Sequence, residues 1–171
     1  MGHAERIGPA FARLLSQAEL EPGVIKRIGV TVGPGSFMGQ RIGIAFAKGL
    51  VLGSGAATVP LTTLEALAVG QGPVSVAIDA RRGQVYFQTF AAGGQPTGEA
   101  ELIDYDDAAS RLQSAKGIGS GVAAATDAAP EGPLLPSAEA LLELTLQKDP
   151  APLRTLYLRG PDAKPPTKKP L

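Results

Sequence analysis

The chain has 171 residues, 16 basic and 16 acidic side chains, one histidine and no cysteine. A balanced charge leaves no global footprint for nucleic acid or an anionic membrane. Without cysteine there are no disulfides and no thiolate metal sites, and a lone His3 cannot build a histidine-rich zinc centre.

Residues 4–19 read as an amphipathic helix. Ile7, Phe11, Leu14, Leu15 and Ala18 share one face. Pro9 fits a first helical turn, which puts the ordered start near Gly8, and His3 reads as a helix-start residue. Glu21-Pro22-Gly23 stops the helix. Residues 26–32 form a strand. Gly33-Pro34-Gly35 then makes a tight turn, with Ser36 as the N-cap of a helix over 37–52. Residues 56–59 read as a short strand. Thr62-Thr63-Leu64-Glu65 fits a capping box that starts a helix to Val69. Residues 70–73 are the best domain boundary.

The second half changes character. Residues 74–79, 84–90 and 99–103 read as an antiparallel meander, with Arg81-Arg82-Gly83 as its first turn. Asp104 caps a helix to Gln113. Residues 116–122 are a glycine-rich strand or loop, and 123–133 a surface loop. A helix over 136–147 follows, capped by Ser137, with Leu141, Leu142 and Leu144 available for packing. Residues 156–159 are extended. The proline- and lysine-rich 161–171 reads as a mobile tail. This divides the chain into 1–72, 73–160 and the tail.

The helix over 37–52 organises the rest. Its strongly polar side chains are Gln40, Arg41 and Lys48. Gly39, Gly43 and Ala47 recur every four residues, as do Ala45, Gly49 and Gly53. Small residues at that spacing make grooves that admit a second helix, by the steric logic documented in membranes. Each mid-helix glycine costs about 0.5–1 kcal/mol against alanine, so a compensating contact is expected. A helix apolar on nearly all sides needs cover on nearly all sides. Two strands in the first half cannot supply it. Either strands are missing there or another polypeptide provides the cover. Within the glycine turn, Gly33, Gly35 and Ser36 are candidate anion contacts at a helix N-terminus. Arg81 and Arg82 are candidates at the hairpin. The plainer reading is a close-packed turn and a hairpin held by Asp79 and Gly83. Arg41 and Lys48 read as solvated edge residues, or Arg41 as a rim residue that fixes register. Neither a G-K-[ST] phosphate loop nor an H-E-x-x-H helix is present.

Gly33-Pro34-Gly35-Ser36-Phe37-Met38-Gly39-Gln40-Arg41-Ile42-Gly43, then Asp79-Ala80-Arg81-Arg82-Gly83-Gln84-Val85-Tyr86, then Tyr157-Leu158-Arg159 resemble, in that order, the motifs of the bacterial TsaB (YeaZ) family. Met38 stands for the usual threonine and Gln84 for the usual glutamate. The resemblance implies an α/β, actin/hexokinase/Hsp70-like fold of two lobes. It also implies that the N-terminal lobe is incomplete, since the family's opening three-strand meander is not in this sequence. It further implies a non-catalytic, cytoplasmic subunit of the machinery that places threonylcarbamoyl on N6 of adenosine 37 in tRNA. TsaD is then the heterodimer partner and TsaE joins the larger complex. The same surface can self-associate, tRNA is met only indirectly, and no membrane is involved. The interface implied comprises Ile7, Phe11, Leu14, Leu15, Gly39, Arg41, Ile42, Gly43, Phe46 and Ala47. No cofactor is required, with ATP or ADP placed at the partner interface. The alternative is a nucleotide-binding ATPase or phosphotransferase of the same superfold, and a peptidase ranks third.

Overall fold

The computed structural model describes residues 2–160, so the expected tail at 161–171 lies outside the described residues. Helix α1 (His3–Gln17) opens the chain. It starts upstream of Gly8 and carries Pro9 in its interior. Pro9 lacks the N–H that would bond the Glu5 carbonyl, but both residues are exposed, where water can serve that carbonyl. The Glu5 carboxylate accepts from the Gly2 N–H at 3.1 Å and holds the first turn.

Strand β1 (Arg27–Gly33), helix α2 (Phe37–Ser54) and parallel strand β2 (Ala57–Thr62) form a strand–helix–strand unit. Ser36 caps α2 as expected, its Oγ accepting from the Gly39 N–H at 3.2 Å. Gly55, left-handed at φ 68°, ends it. Strand β2 runs further than expected, through Pro60, because Pro60 lies on an edge and needs no ladder N–H. Helix α3 (Thr63–Ala68) begins in the expected capping box: Thr62 Oγ1 accepts from the Glu65 N–H at 3.0 Å, and Glu65 Oε1 from the Thr62 N–H at 2.8 Å.

The second sheet has the order β5-β4-β3-β6. Strands β3 (Val74–Arg81), β4 (Gln84–Phe90) and β5 (Glu101–Asp104) are the expected meander. Strand β6 (Gly117–Ile118) adds to β3 in parallel. One face packs Val74, Val76, Phe90 and Ile118 under Leu64, Leu67 and Ala68 of α3. The other packs Ala77, Val85, Phe87 and Ile103 under α4 (Tyr105–Leu112) and α5 (Ser120–Thr126). Asp104 precedes α4, but its carboxylate accepts from Gln84 Nε2 at 3.1 Å instead of capping the helix.

Helix α5 replaces the first four residues of the loop expected at 123–133. Its glycines serve close approach rather than flexibility. A Cβ on Gly119 would stand 2.4 Å from the Ala77 carbonyl oxygen, and one on Gly121 2.9 Å from the Ala77 carbonyl carbon.

Helix α6 (Ala138–Gln147) keeps its Ser137 cap, with Ser137 Oγ accepting from the Ala140 N–H at 3.1 Å. Its packing corrects the leucine expectation. Ala140 and Thr145 are buried, Leu141 and Leu144 half-buried, and Leu142 exposed. The reason is Gly29, where a Cβ would stand 1.8 Å from Thr145 Oγ1, so the helix seats its small residues on β1. Helix α6 returns to β1 and β2, and α3 joins the core of the second sheet. Lys148 Nζ meets Glu65 Oε1 at 2.7 Å, and Arg27 donates to the carbonyls of Leu146 and Lys148. No helix among the described residues is long and apolar enough to cross a membrane.

Candidate functional site

Helix α2 presents three sides. At about 100° per residue, Ile44 and Ala47 fall on the side that packs on β1; they meet Val32 and Leu153 there. Ile42 and Phe46 fall toward α1, and Phe46 meets Phe11 edge-on at 5.6 Å and 79°. The third side faces out. It carries Met38, Arg41, Ala45, Lys48, Gly49, Leu52 and Gly53, all exposed. Leu52 is 90% exposed and Met38 62%. A Cβ at Gly43, Gly49 or Gly53 would meet nothing within 4 Å, so these notches are unfilled by the described residues.

The expected interface residues are distributed over these sides. Ile7, Phe11, Leu15, Ile42, Gly43 and Phe46 are half-buried, and Leu14 and Arg41 are exposed. Gly39 sits against its own cap, where a Cβ would lie 3.3 Å from Ser36 Oγ. Ala47 is a correction: at 3% exposure it belongs to the α2–β1 core and has no surface to offer a partner. The stripe left open is Ala45, Gly49 and Gly53, one helical side away from the Gly39, Gly43 and Ala47 stripe.

Beside the N-terminal end of α2 the three sequence motifs converge on a cleft of about 800 Å³. Pro34, Gly35, Phe37, Gln40 and Arg41 line one wall, and Tyr86, Leu156, Tyr157, Leu158, Arg159 and Gly160 the other. Arg159 fastens the β3–β4 hairpin. Its guanidinium donates to the Ala80 carbonyl at 2.9 Å, the Arg81 carbonyl at 3.2 Å and Gln84 Oε1 at 2.8 Å. Arg41 lies 3.8 Å over the Phe37 ring, and its Nε donates to the Tyr157 hydroxyl oxygen at 3.2 Å. That bond, with a second from Thr155, holds the Tyr157 phenol below the usual tyrosine pKa. Gly33 needs to be glycine: at φ 126° a Cβ would stand 2.7 Å from the Leu156 carbonyl oxygen. The Leu156 N–H donates to the Val32 carbonyl at 2.8 Å and fixes the wall.

Of the five anion candidates, only Gly35 lines the cleft. Ser36 Oγ is occupied as a cap. Arg81 and Arg82 lie at the hairpin tip, both at positive φ, with Arg81 Nε 3.6 Å from Asp79. Asp79 Oδ1 accepts from the Arg81 N–H at 2.8 Å and from the Tyr105 hydroxyl at 3.0 Å, which pushes the Tyr105 phenol above its usual pKa. This is the hairpin held by Asp79. The guanidiniums of the cleft are those of Arg41 and Arg159. Phe37, Gln40, Tyr86, Tyr157 and Arg159 were missed as site residues. Each lies inside one of the three quoted motifs, which carried the signal.

The family model for TsaD, the tRNA N6-adenosine threonylcarbamoyltransferase, matches residues 1–138. An uncharacterized protein of Mycobacterium tuberculosis is 34% identical over 176 residues, covering 95% of this chain and 78% of its own. The tRNA threonylcarbamoyladenosine biosynthesis protein TsaB of Bacillus subtilis is 39% identical over 88 residues, 49% of this chain and 38% of its own. The solved structure of YeaZ from Pseudomonas aeruginosa superposes with a TM-score of 0.72 at 28% identity, covering 85% of this chain and 76% of that one. A second structure, described as an uncharacterized protein with similarity to peptidase YeaZ from Pseudomonas aeruginosa, gives a TM-score of 0.78 at 27% identity over 92% of this chain and 85% of that one.

Proposed function

Because this chain belongs to the TsaB/YeaZ-like family, we propose that it is a non-catalytic docking subunit in threonylcarbamoyladenosine formation on tRNA, one that binds and activates a TsaD-type transferase in the cytoplasm. The observation that carries this reading is the outer side of α2. Leu52 stands in solvent beside the unfilled notches at Gly49 and Gly53, and Met38 is exposed at the other end of the same side. An apolar ridge next to glycine notches suits the backbone and ridges of a second helix, and wastes stability when left open. A partner helix pair docking there, with α1 alongside, would bury the roughly 1,200–2,000 Å² typical of a specific interface. Activation then follows if the docked state favours the competent conformation of the transferase. The fold in this reading is the two-lobed actin/hexokinase/Hsp70-like plan. TsaE joins at the complex, tRNA is held by other subunits, and any ATP or ADP sits at the partner interface.

A second reading, a nucleotide-binding ATPase of the same superfold, is favoured by the cleft and its two arginines. Among the described residues its lining offers no carboxylate to hold a metal ion or orient water, which favours the docking reading. Size exclusion with light scattering tests the proposal. The chain mixed with TsaD is expected to elute as a heterodimer, and Gly49→Leu is expected to abolish it while circular dichroism stays unchanged. TsaD captured equally by Gly49→Leu contradicts the interface. ATP turnover by the chain alone contradicts the non-catalytic role.

A further inference from the structure

Residues 151–157 run beside α2 in the opposite direction. The Ala151 N–H donates at 2.9 Å to the Thr58 carbonyl, near the start of β2. The Leu156 N–H donates at 2.8 Å to the Val32 carbonyl, near the end of β1. Helix α2 joins the same two strand ends the other way. A groove separates helix and segment. Its upper end is the cleft described above, with Phe37, Arg41 and Tyr157 on its banks. Its lower end is a second cavity of about 440 Å³, lined by Lys48, Val51, Leu52, Thr58, Pro152 and Leu153.

The lower cavity is an apolar socket with a cation beside it. Leu153 is buried there, Val51 half-buried and Leu52 almost wholly exposed. Lys48 and Arg41 share one edge of α2, seven positions or about 10 Å apart. Nothing among the described residues pairs with Lys48. Arg41 is held by its stack on Phe37 and its bond to the Tyr157 hydroxyl, and its two terminal amino groups find no acceptor among the described residues. No carboxylate lines either cavity among the described residues. In a chain with 16 acidic and 16 basic side chains, a groove of one sign is a local asymmetry. It is complementary to carboxylates set beside an apolar anchor. A strand is the wrong shape for it. The neighbouring edge of β2 is occupied by Ala151 and lacks an N–H at Pro60, so it offers no ladder. A helix satisfies its own backbone and packs along another helix. A phosphate chain would match the cations but leave the socket empty.

We propose that the groove between α2 and residues 151–157 docks an amphipathic acidic helix of another protein, which seats a leucine-sized side chain in the lower socket and sets carboxylates against Lys48 and Arg41. The docked helix runs antiparallel to α2, so the anchor comes first and the two carboxylates follow. The groove flanks the outer side of α2 and shares Leu52 with it, but its test does not depend on the transferase reading.

The test uses the full chain and a dye-labelled peptide of about 20 residues, held helical by lactam staples. Its background is alanine and glutamine. It carries a leucine, a glutamate about four residues on and a second about seven residues beyond that. Anisotropy should give a dissociation constant below about 100 µM. Amide shifts should concentrate at Lys48, Leu52 and Leu153. Replacing the peptide's leucine by alanine should weaken binding at least about tenfold, a check that needs no variant to fold. Lys48→Glu, at an exposed position, should weaken it about fivefold or more. A lysine in place of the peptide's first glutamate should restore binding to that variant. The proposal is overturned by no binding at about 1 mM peptide, by equal binding without the leucine, or by indifference to Lys48→Glu. An oligouridylate that displaces the peptide would assign the groove to nucleic acid and overturn it. So would light scattering that shows a dimer which Lys48→Glu makes monomeric, since the groove would then belong to a second copy.

Discussion

In the β5-β4-β3-β6 sheet Val76, Val85 and Ile118 have no exposure at all, whereas α2, laid over β1, buries only Ile44 and Ala47 of its eighteen residues. The second sheet is closed on both faces by helices of its own chain. The β1–β2 sheet is covered by α2 and α6, yet the described residues leave a glycine-notched helix side and four exposed leucines or methionines, Met38, Leu52, Leu142 and Leu146, in solvent. Apolar surface that a chain leaves uncovered in one region, while closing another completely, marks the region built to meet something else. The contrast separates substitutions that unfold the protein from those that only disconnect it.

The largest effect belongs to the closed region. Leu67→Ala, at 1% exposure between α3 and the sheet, should cost about 2–5 kcal/mol, read as a lowered urea midpoint. Arg159→Ala is intermediate. It frees two hairpin carbonyls and Gln84, and should cost about 1–3 kcal/mol, with faster exchange confined to the β3–β4 turn. Leu52→Lys is the smallest in stability, within about 0.5 kcal/mol, because Leu52 is almost fully exposed. A large loss from Leu52→Lys would mean the outer side of α2 supports the fold itself.

Titration sharpens the picture at the cleft. The chain has three tyrosines and no tryptophan, so phenolate absorbance is readable. Tyr157 should ionise below the usual tyrosine range and Tyr105 above it. Arg41→Ala should return Tyr157 upward, and Asp79→Asn should return Tyr105 downward. The signs of linkage differ. The Tyr105–Asp79 bond contributes fully below the ordinary tyrosine pKa and is lost as pH rises through the raised folded value. The Arg41 contact favours the Tyr157 phenolate, so its linked contribution exists above the ordinary pKa and is lost as pH falls through the lowered folded value.

Features set by neighbours in sequence were legible. The Ser36 cap, the Thr62–Glu65 box and the β3–β4 hairpin each follow from a few adjacent residues with defined backbone chemistry. Helix α5 was not, because Gly119 and Gly121 look like loop residues until Ala77 is seen pressed against them. The seating of α6 through Thr145 was hidden for the same reason, since its partner Gly29 lies more than a hundred residues away. The cleft was half legible. Its residues lay in recognisable motifs, but only the folded chain brings Arg159 to the hairpin carbonyls and Tyr157 to Arg41. Ala47 misled because a repeat of small residues gives the spacing of a groove without saying which groove faces inward.

Calorimetric titration of a TsaD-type transferase with the unaltered chain and with Gly49→Leu tests the central claim most directly. A leucine at position 49 fills an outward notch that no other described residue reaches. The account predicts melting no lower than that of the unaltered chain, since a mid-helix glycine is replaced, and a loss of affinity of roughly a hundredfold or more, about 2.7 kcal/mol. Equal affinity for both proteins would contradict it.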